Sequence, residues 1–220
     1  MRLEDLRNRI GKCKLCGKNA FWHFPTRNGV KGFYGDKEYI FVASQPHEGE
    51  FPALPHDYKL YSNMKTYGFE EAHLTDVVKC RGEKGKELSP NEVDNCIGWF
   101  DEEVRIIKPK AIIALGNKAF NALKPKPFKP ILRLHHYSAQ IGDKFEEEFR
   151  TLRDYLDFGD YWHGMDIRGL ITSEQRKRKK RQRKRAKYVE RLREKQIDGK
   201  EYRELMKKWE RENPVDQEIE

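Results

Sequence analysis

The sequence predicts an α/β protein: a three-layer α/β/α sandwich with a central, mainly parallel four-stranded sheet, followed by a basic C-terminal helical tail. Three observations predict it. Short apolar runs alternate with capped or amphipathic helical stretches along residues 1–158, the pattern of consecutive βαβ units. Those runs are apolar throughout, as strands covered on both faces are. Charge is also divided unevenly. Residues 1–170 hold 27 Lys and Arg against 25 Asp and Glu, whereas 171–220 hold 18 against 11. A nearly neutral domain, 1–170, therefore precedes a basic tail, 171–220, which is expected to be helical or partly disordered until it meets a partner.

In chain order, Leu3, Leu6 and Ile10 lie at helical spacing and Gly11 can end that helix. Residues 23–37 are rich in Gly, Asn, Asp and aromatics and read as loop. Tyr39–Ala43 is the first strand, with the polar loop Ser44–Glu50 at its carboxyl end. A helix from about Asp57 to Thr66 stops near Gly68, and His73–Val78 is the second strand. Ser89-Pro90-Asn91-Glu92 is a helix start: a capping Ser, Pro at the first helical position and Glu completing a capping box. That helix runs to about Ile107. Ala111–Gly116 is the third strand, followed by a short helix to Leu123. Pro130–His136 is the fourth strand, and residues 143–158 form an amphipathic helix with Phe145, Phe149, Leu152 and Leu156 on one face. Parallel α/β sheets bind ligands beyond the carboxyl ends of their strands, so the loops after Ala43, Val78, Leu115 and Leu134 are the expected site.

No apolar run approaches the roughly 20 residues that span a bilayer, and Met1-Arg2-Leu3-Glu4-Asp5 does not resemble a signal peptide. The expectation is a cytoplasmic monomer without membrane contact. Disulfides rarely persist there, so the four cysteines read as metal ligands or buried thiols. A pI near 9.2 favours a polyanionic partner, DNA first. The densest charge, Arg176 to Lys187, has ten basic residues in twelve. Arg176, Lys177, Arg178, Lys179, Lys180 and Arg181 are its candidate DNA-backbone contacts; the bland alternative is a solvated charge run.

Cys13-x2-Cys16, Cys80 and Cys96 leave no cysteine over. The CxxC pair puts two thiolates within reach of one metal, Cys80 follows a strand end, and Cys96 lies two turns into the capped helix. Zinc and an iron–sulfur cluster both accept four thiolates, and spacing does not choose between them.

These residues also carry a family likeness. Residues 1–158 resemble the uracil-DNA glycosylase superfamily, especially its family 4, the iron–sulfur branch. Leu74–Arg81 (LTDVVKCR) is similar to that family's ITNVVKCRP segment, Ser89–Cys96 to its P-x-E-x3-C helix, and Lys108–Gly116 (KPKAIIALG) to its KPKAIVALG strand. The resemblance implies a DNA glycosylase of that fold and a structural [4Fe-4S] cluster on the four cysteines, with zinc the alternative.

The departures bear on substrate. Where family 4 has Gly-Glu-Ala-Pro-Gly, this chain has Ala43-Ser44-Gln45-Pro46-His47. Ser44 stands at the usual carboxylate position, and Gln45 is the candidate that orients the attacking water. Glu48 and Glu50 in the same loop read as surface charges. Phe51 is the nearest aromatic for stacking the base. The final motif, usually His-Pro-Ser, appears as His136-Tyr137-Ser138; His136 is the candidate donor to the leaving base, with His135 able to slide into its place.

Where the family has an Asn that reads uracil, this chain has Asp76. A carboxylate only accepts hydrogen bonds, so it suits the amino group of a cytosine-type base. Excision of ordinary cytosine would damage the cell's own genome, so the expected activity is excision of a modified cytosine, and the resemblance implies a role in defence against phages with hypermodified DNA. Excision of uracil or a damaged base, and a non-catalytic DNA-binding role, are the alternatives.

Overall fold

The computed structural model describes residues 2–18, 23–46, 55–81, 88–128, 130–139, 142–157, 165–168, 188–189 and 199–212. The chain divides into two compact units, Met1–Leu170 and Ile171–Glu220.

In the first unit, β1 (Tyr39–Ala43), β2 (His73–Asp76), β3 (Ala111–Leu115), β4 (Ile131–Leu134) and β5 (Met165–Asp166) form one parallel sheet in the order β2-β1-β3-β4-β5. Every residue of β1, β2 and β3 is buried, as expected for strands with helices on both faces. The four strands anticipated from sequence are present. The second and fourth are shorter than expected, although Val77 and Val78 still donate to the carbonyls of Ala43 (2.9 Å) and Ser44 (3.0 Å). The fifth was not anticipated; two residues give no periodicity to read.

The helix α1 (Leu3–Gly11) precedes the sheet, and α2 (Pro55–Thr66), α3 (Pro90–Ile107), α4 (Asn117–Leu123) and α5 (Lys144–Asp157) connect successive strands. The capping box of α3 forms: Ser89 Oγ accepts from the Glu92 N–H (3.2 Å), and Glu92 Oε2 accepts from the Ser89 N–H (3.1 Å). Leu6, Ile10, Phe100, Ala119 and Leu123 pack with Ile40, Val42, Ile112 and Ala114 on one side of the sheet. On the other side, Phe41 stacks on Phe149 of α5, ring centroids 5.6 Å apart and planes within 1°. Phe69 packs edge-on to Phe41 at 5.1 Å. Burying rings of this size supplies the largest share of the hydrophobic stabilisation in that layer.

In the second unit, α6 (Gly199–Glu212) buries Met206 and Trp209, and the Tyr188 and Trp209 rings stack at 6.3 Å. The run Arg176–Lys187 lies outside the described residues. Among the described residues no helix is long and apolar enough to cross a membrane.

Candidate active site

The strand order reverses direction at β1: the chain passes to β2 on one side, then returns to β3, β4 and β5 on the other. The carboxyl ends of β1 and β3 flank that switch point, where open α/β sheets place their ligands. A cavity of about 410 Å³ lies there, lined among others by Ser44, Gly116, Lys118, His135, His136 and Arg168. Its charged lining is basic.

Gly116 is what lets the wall close. Its φ is +91°, and a Cβ there would meet the His136 Cβ at 3.0 Å, so only glycine combines this backbone with so close a neighbour. A larger, shallower groove of about 640 Å³ runs between α3 and α4 and shares Asn117 and Lys118 with the cavity. It contains no histidine, and its Asp94 is occupied by Lys126 at 2.9 Å.

The two adjacent histidines have different surroundings. His136 Nδ1 lies 2.7 Å from Ser138 Oγ and 3.2 Å from the Ser138 backbone nitrogen. A backbone N–H can only donate, so Nδ1 accepts and the proton of the neutral ring sits on Nε2. The ring also stacks on Tyr137 at 4.2 Å. His135 is bound instead to Glu148 of α5: one carboxylate oxygen takes its backbone N–H at 2.8 Å and the other meets its Nδ1.

Asp76 ends β2, paired in register with Ala43. It is buried, outside the cavity lining, and its Oδ1 has no hydrogen-bond partner among the described residues. Burial pushes its carboxyl up to about 8, with Lys79 opposing and Glu103 adding to the shift. A buried polar cluster surrounds it. Asp57, Asp76 and Tyr61 all act on Tyr137, whose hydroxyl burial raises well above its ordinary value.

Behind Asp76, the Lys79 ammonium donates to Thr75 Oγ1 (2.9 Å), the Asp76 carbonyl (2.6 Å) and Glu103 Oε2 (2.8 Å). Burial alone would raise the Glu103 carboxyl. Lys79 and His73 instead hold it below its usual value.

The four cysteines come from three places: Cys13 and Cys16 after α1, Cys80 after β2 and Cys96 in α3. None forms a disulfide. Burial pushes the Cys80 thiol up to about 11, and the other three cysteines add to the shift, so all four lie within electrostatic reach of one another. Asn95 Nδ2 donates to Cys16 Sγ at 3.6 Å. Among the described residues, no group of three or more His, Cys, Asp or Glu is set to hold a single metal ion. Four thiols close together, some with N–H donors to their sulfurs, nevertheless fit the ligand chemistry of an iron–sulfur cluster.

The sequence profile of the uracil DNA glycosylase superfamily matches residues 33–193. The chain belongs to the uracil-DNA glycosylase superfamily. Among relatives, it is 32% identical over 123 residues to a type-4 uracil-DNA glycosylase of Sulfurisphaera tokodaii, covering 52% of this chain and 54% of that protein. It is 29% identical over 200 residues to the type-4 enzyme of Archaeoglobus fulgidus, covering 70% and 98%. A type-5 uracil-DNA glycosylase of Pyrobaculum aerophilum is 36% identical over 67 residues, covering 30% and 29%. The chain thus spans about half the length of the first of these and nearly all of the second.

Of the sequence-derived candidates, Ser44 and His136 meet at the cavity. Gln45 is half-buried in the turn beside Ser44, outside the lining. Phe51, Glu48, Glu50 and Arg176–Arg181 lie outside the described residues. Sequence reasoning missed Lys118, Arg168 and Glu148. Arg168 follows a strand too short to detect. Glu148 did leave a signal: three residues after Phe145 and four before Leu152, it falls on the apolar face of α5, where a carboxylate needs a partner.

Proposed function

We propose that this member of the superfamily is a DNA glycosylase that flips a nucleotide from the stack and hydrolyses its N-glycosidic bond. The observation that carries the reading is the tautomer of His136: Ser138 engages Nδ1, which leaves the ring proton on Nε2, on the wall of a cavity at the strand-order switch. Cleavage places negative charge on the departing base, and a preoriented donor to its carbonyl oxygen stabilises that charge as it develops. Flipping brings the base into such a pocket. The attacking water reaches the anomeric carbon of an oxocarbenium-like sugar, by analogy with glycoside hydrolysis. Gln45 orients that water through its amide oxygen, and Phe51 stacks the base. Lys118 and Arg168 offer charge for the flanking phosphates, and Arg176–Arg181 grip the DNA backbone. Cys13, Cys16, Cys80 and Cys96 hold a [4Fe-4S] cluster, which when bound ties α1, β2 and α3 together.

For the base, the buried Asp76, paired with Ala43 one residue before the cavity-lining Ser44, supports uracil at neutral pH. A protonated carboxyl offers one donor and one acceptor, as the family's Asn does, and so matches the O4 and N3–H of uracil. The names of the relatives agree with this reading. A second reading, a modified cytosine encountered in defence against hypermodified phage DNA, is favoured by the unpartnered Asp76 Oδ1. When ionised, it accepts from an exocyclic amino group, and Ala43 and Ser44 leave room for a substituent. The test is base release from duplexes carrying uracil, cytosine, 5-hydroxymethylcytosine or its glucosylated form. Fastest release of uracil at pH 7 supports the first reading and of a modified cytosine the second. DNA binding without release of any base defeats both and leaves a non-catalytic DNA-binding protein.

A further inference from the structure

Hydrolysis needs somewhere for the proton of the attacking water to go. Among the described residues after β1, Ser44 is a hydroxyl and Gln45 an amide, and neither takes up a proton at neutral pH. The cavity wall nonetheless contains a basic group oriented by a carboxylate. Glu148 is only 2% exposed and is committed to His135 through both oxygens, one on the backbone N–H and one on Nδ1. A carboxylate engaging Nδ1 holds the imidazole in the tautomer with its proton on that nitrogen. Nε2 is then a lone-pair acceptor, and it has no hydrogen-bond partner among the described residues. The His135 side chain is 31% exposed and lines the same cavity as His136. Adjacent residues at the end of β4 are thus fixed in opposite tautomers, one presenting a proton and the other a lone pair.

We infer that His135, oriented by Glu148, is the general base that takes the proton from the attacking water. The inference rests on the glycosylase reading above. As the water oxygen bonds to the anomeric carbon, the carbon–nitrogen bond to the base breaks and its electron pair leaves with the base. The water proton passes to His135 Nε2. His136 Nε2–H stabilises the departing base, which takes up a proton on release, and the His135 imidazolium gives its proton to solvent. Glu148 is a positioning residue: it sets the tautomer and stabilises the imidazolium. Among the described residues, the charged and titratable groups around His135 are Glu148 from α5, Arg168 after β5, Lys118 from α4 and the neighbouring His136. Arg168 is itself engaged by Asp166 at 2.9 Å.

The test is single-turnover base release across pH 5–9 by the full chain with its cluster loaded. His135→Asn retains an amide N–H where Nδ1–H stood, so the tie to Glu148 survives while the Nε2 base is removed. It should keep the wild-type melting temperature and affinity for DNA. Its rate should fall about 100-fold or more, the usual range for loss of a general base, and the histidine limb of the pH profile should disappear. Glu148→Gln should keep that limb but move it to lower pH. A wild-type rate and profile in His135→Asn would overturn the inference and leave the dyad as a pin between β4 and α5. If Glu148→Gln fails to fold, the His135→Asn result still decides. Wild-type protein releasing no base would instead defeat the glycosylase reading, so the two failures are distinguishable.

Discussion

Replacing Asp76 by Asn keeps the shape of the side chain and removes its titration. In the native protein burial raises the carboxyl from 3.8 to about 8; the unfolded chain has no such burial. Between those values the native state holds a proton that the unfolded state has released. The stability contribution is therefore complete below about pH 4 and is lost as pH rises toward 8. Each unit is worth about 1.4 kcal/mol, so by pH 7 wild type has lost up to about 4 kcal/mol that Asp76→Asn retains. Urea unfolding at pH 5, 6 and 7 should show the variant's advantage growing by about 1.4 kcal/mol per pH unit.

On the function proposed above, the same proton governs base reading. Wild type should favour uracil at pH 6 and shift toward a cytosine-type base by pH 9, whereas Asp76→Asn should favour uracil at both. A buried hydrogen bond to a charged group is worth about 1.5–3 kcal/mol, roughly 10- to 100-fold in the rate ratio. Parallel stability curves would show that Asp76 does not titrate in this window. A wild-type base preference independent of pH and unchanged in Asp76→Asn would show that it does not read the base.

Anaerobically purified protein should be brown with about four irons per chain, and Cys80→Ser should lower both iron content and melting temperature; colourless protein with one zinc would overturn the cluster assignment. Glu103→Gln leaves the Lys79 ammonium buried without its counter-charge and should cost about 3–5 kcal/mol in urea unfolding; Lys79→Met with Glu103→Leu should recover most of it, and a loss below about 1 kcal/mol for Glu103→Gln would show that water reaches the pair. Removing 171–220 should leave a folded domain whose DNA affinity is weaker and less salt-dependent, because fewer phosphates are neutralised; an unchanged salt slope would show that the Arg176–Lys187 run stays solvated.

The legible parts of the fold were those fixed by local rules. Ser89, Pro90 and Glu92 announced the start of α3, and the runs Tyr39–Ala43 and Ala111–Leu115 announced strands covered on both faces. β5 was invisible because two residues carry no period and gain their place only from pairing with Leu132 and Arg133. The motif residues Ser44 and His136 could be placed on one edge of the sheet because the carboxyl ends of parallel strands share that edge. Sequence left His135 and His136 interchangeable. What separates them is Glu148, twelve or more positions further on, and only the packing of α5 brings it to one ring and not the other. The acceptor role read from Asp76 assumed an ionised carboxylate, whereas its charge depends on how much water the fold excludes.

The Lys79 network links two parts of the molecule that sequence treats separately. Buried ion pairs return little net stability, because desolvating both charges offsets most of their attraction. The pair fixes geometry instead. All three hydrogens of the ammonium are committed, to Thr75 and Asp76 on β2 and to Glu103 on α3, and the Lys79 backbone N–H reaches the Cys96 thiol on the same helix. The next residue is Cys80. One residue thus fixes the end of the strand that presents Asp76, the helix that supplies Cys96, and the start of the segment that supplies Cys80. A three-way tie of this kind leaves Asp76 little freedom to swing, and its carboxyl keeps its buried position only while β2 and α3 keep their spacing. Damage at the cysteines would therefore reach the end of β2 and Asp76 through Lys79, although among the described residues no cysteine lines the cavity.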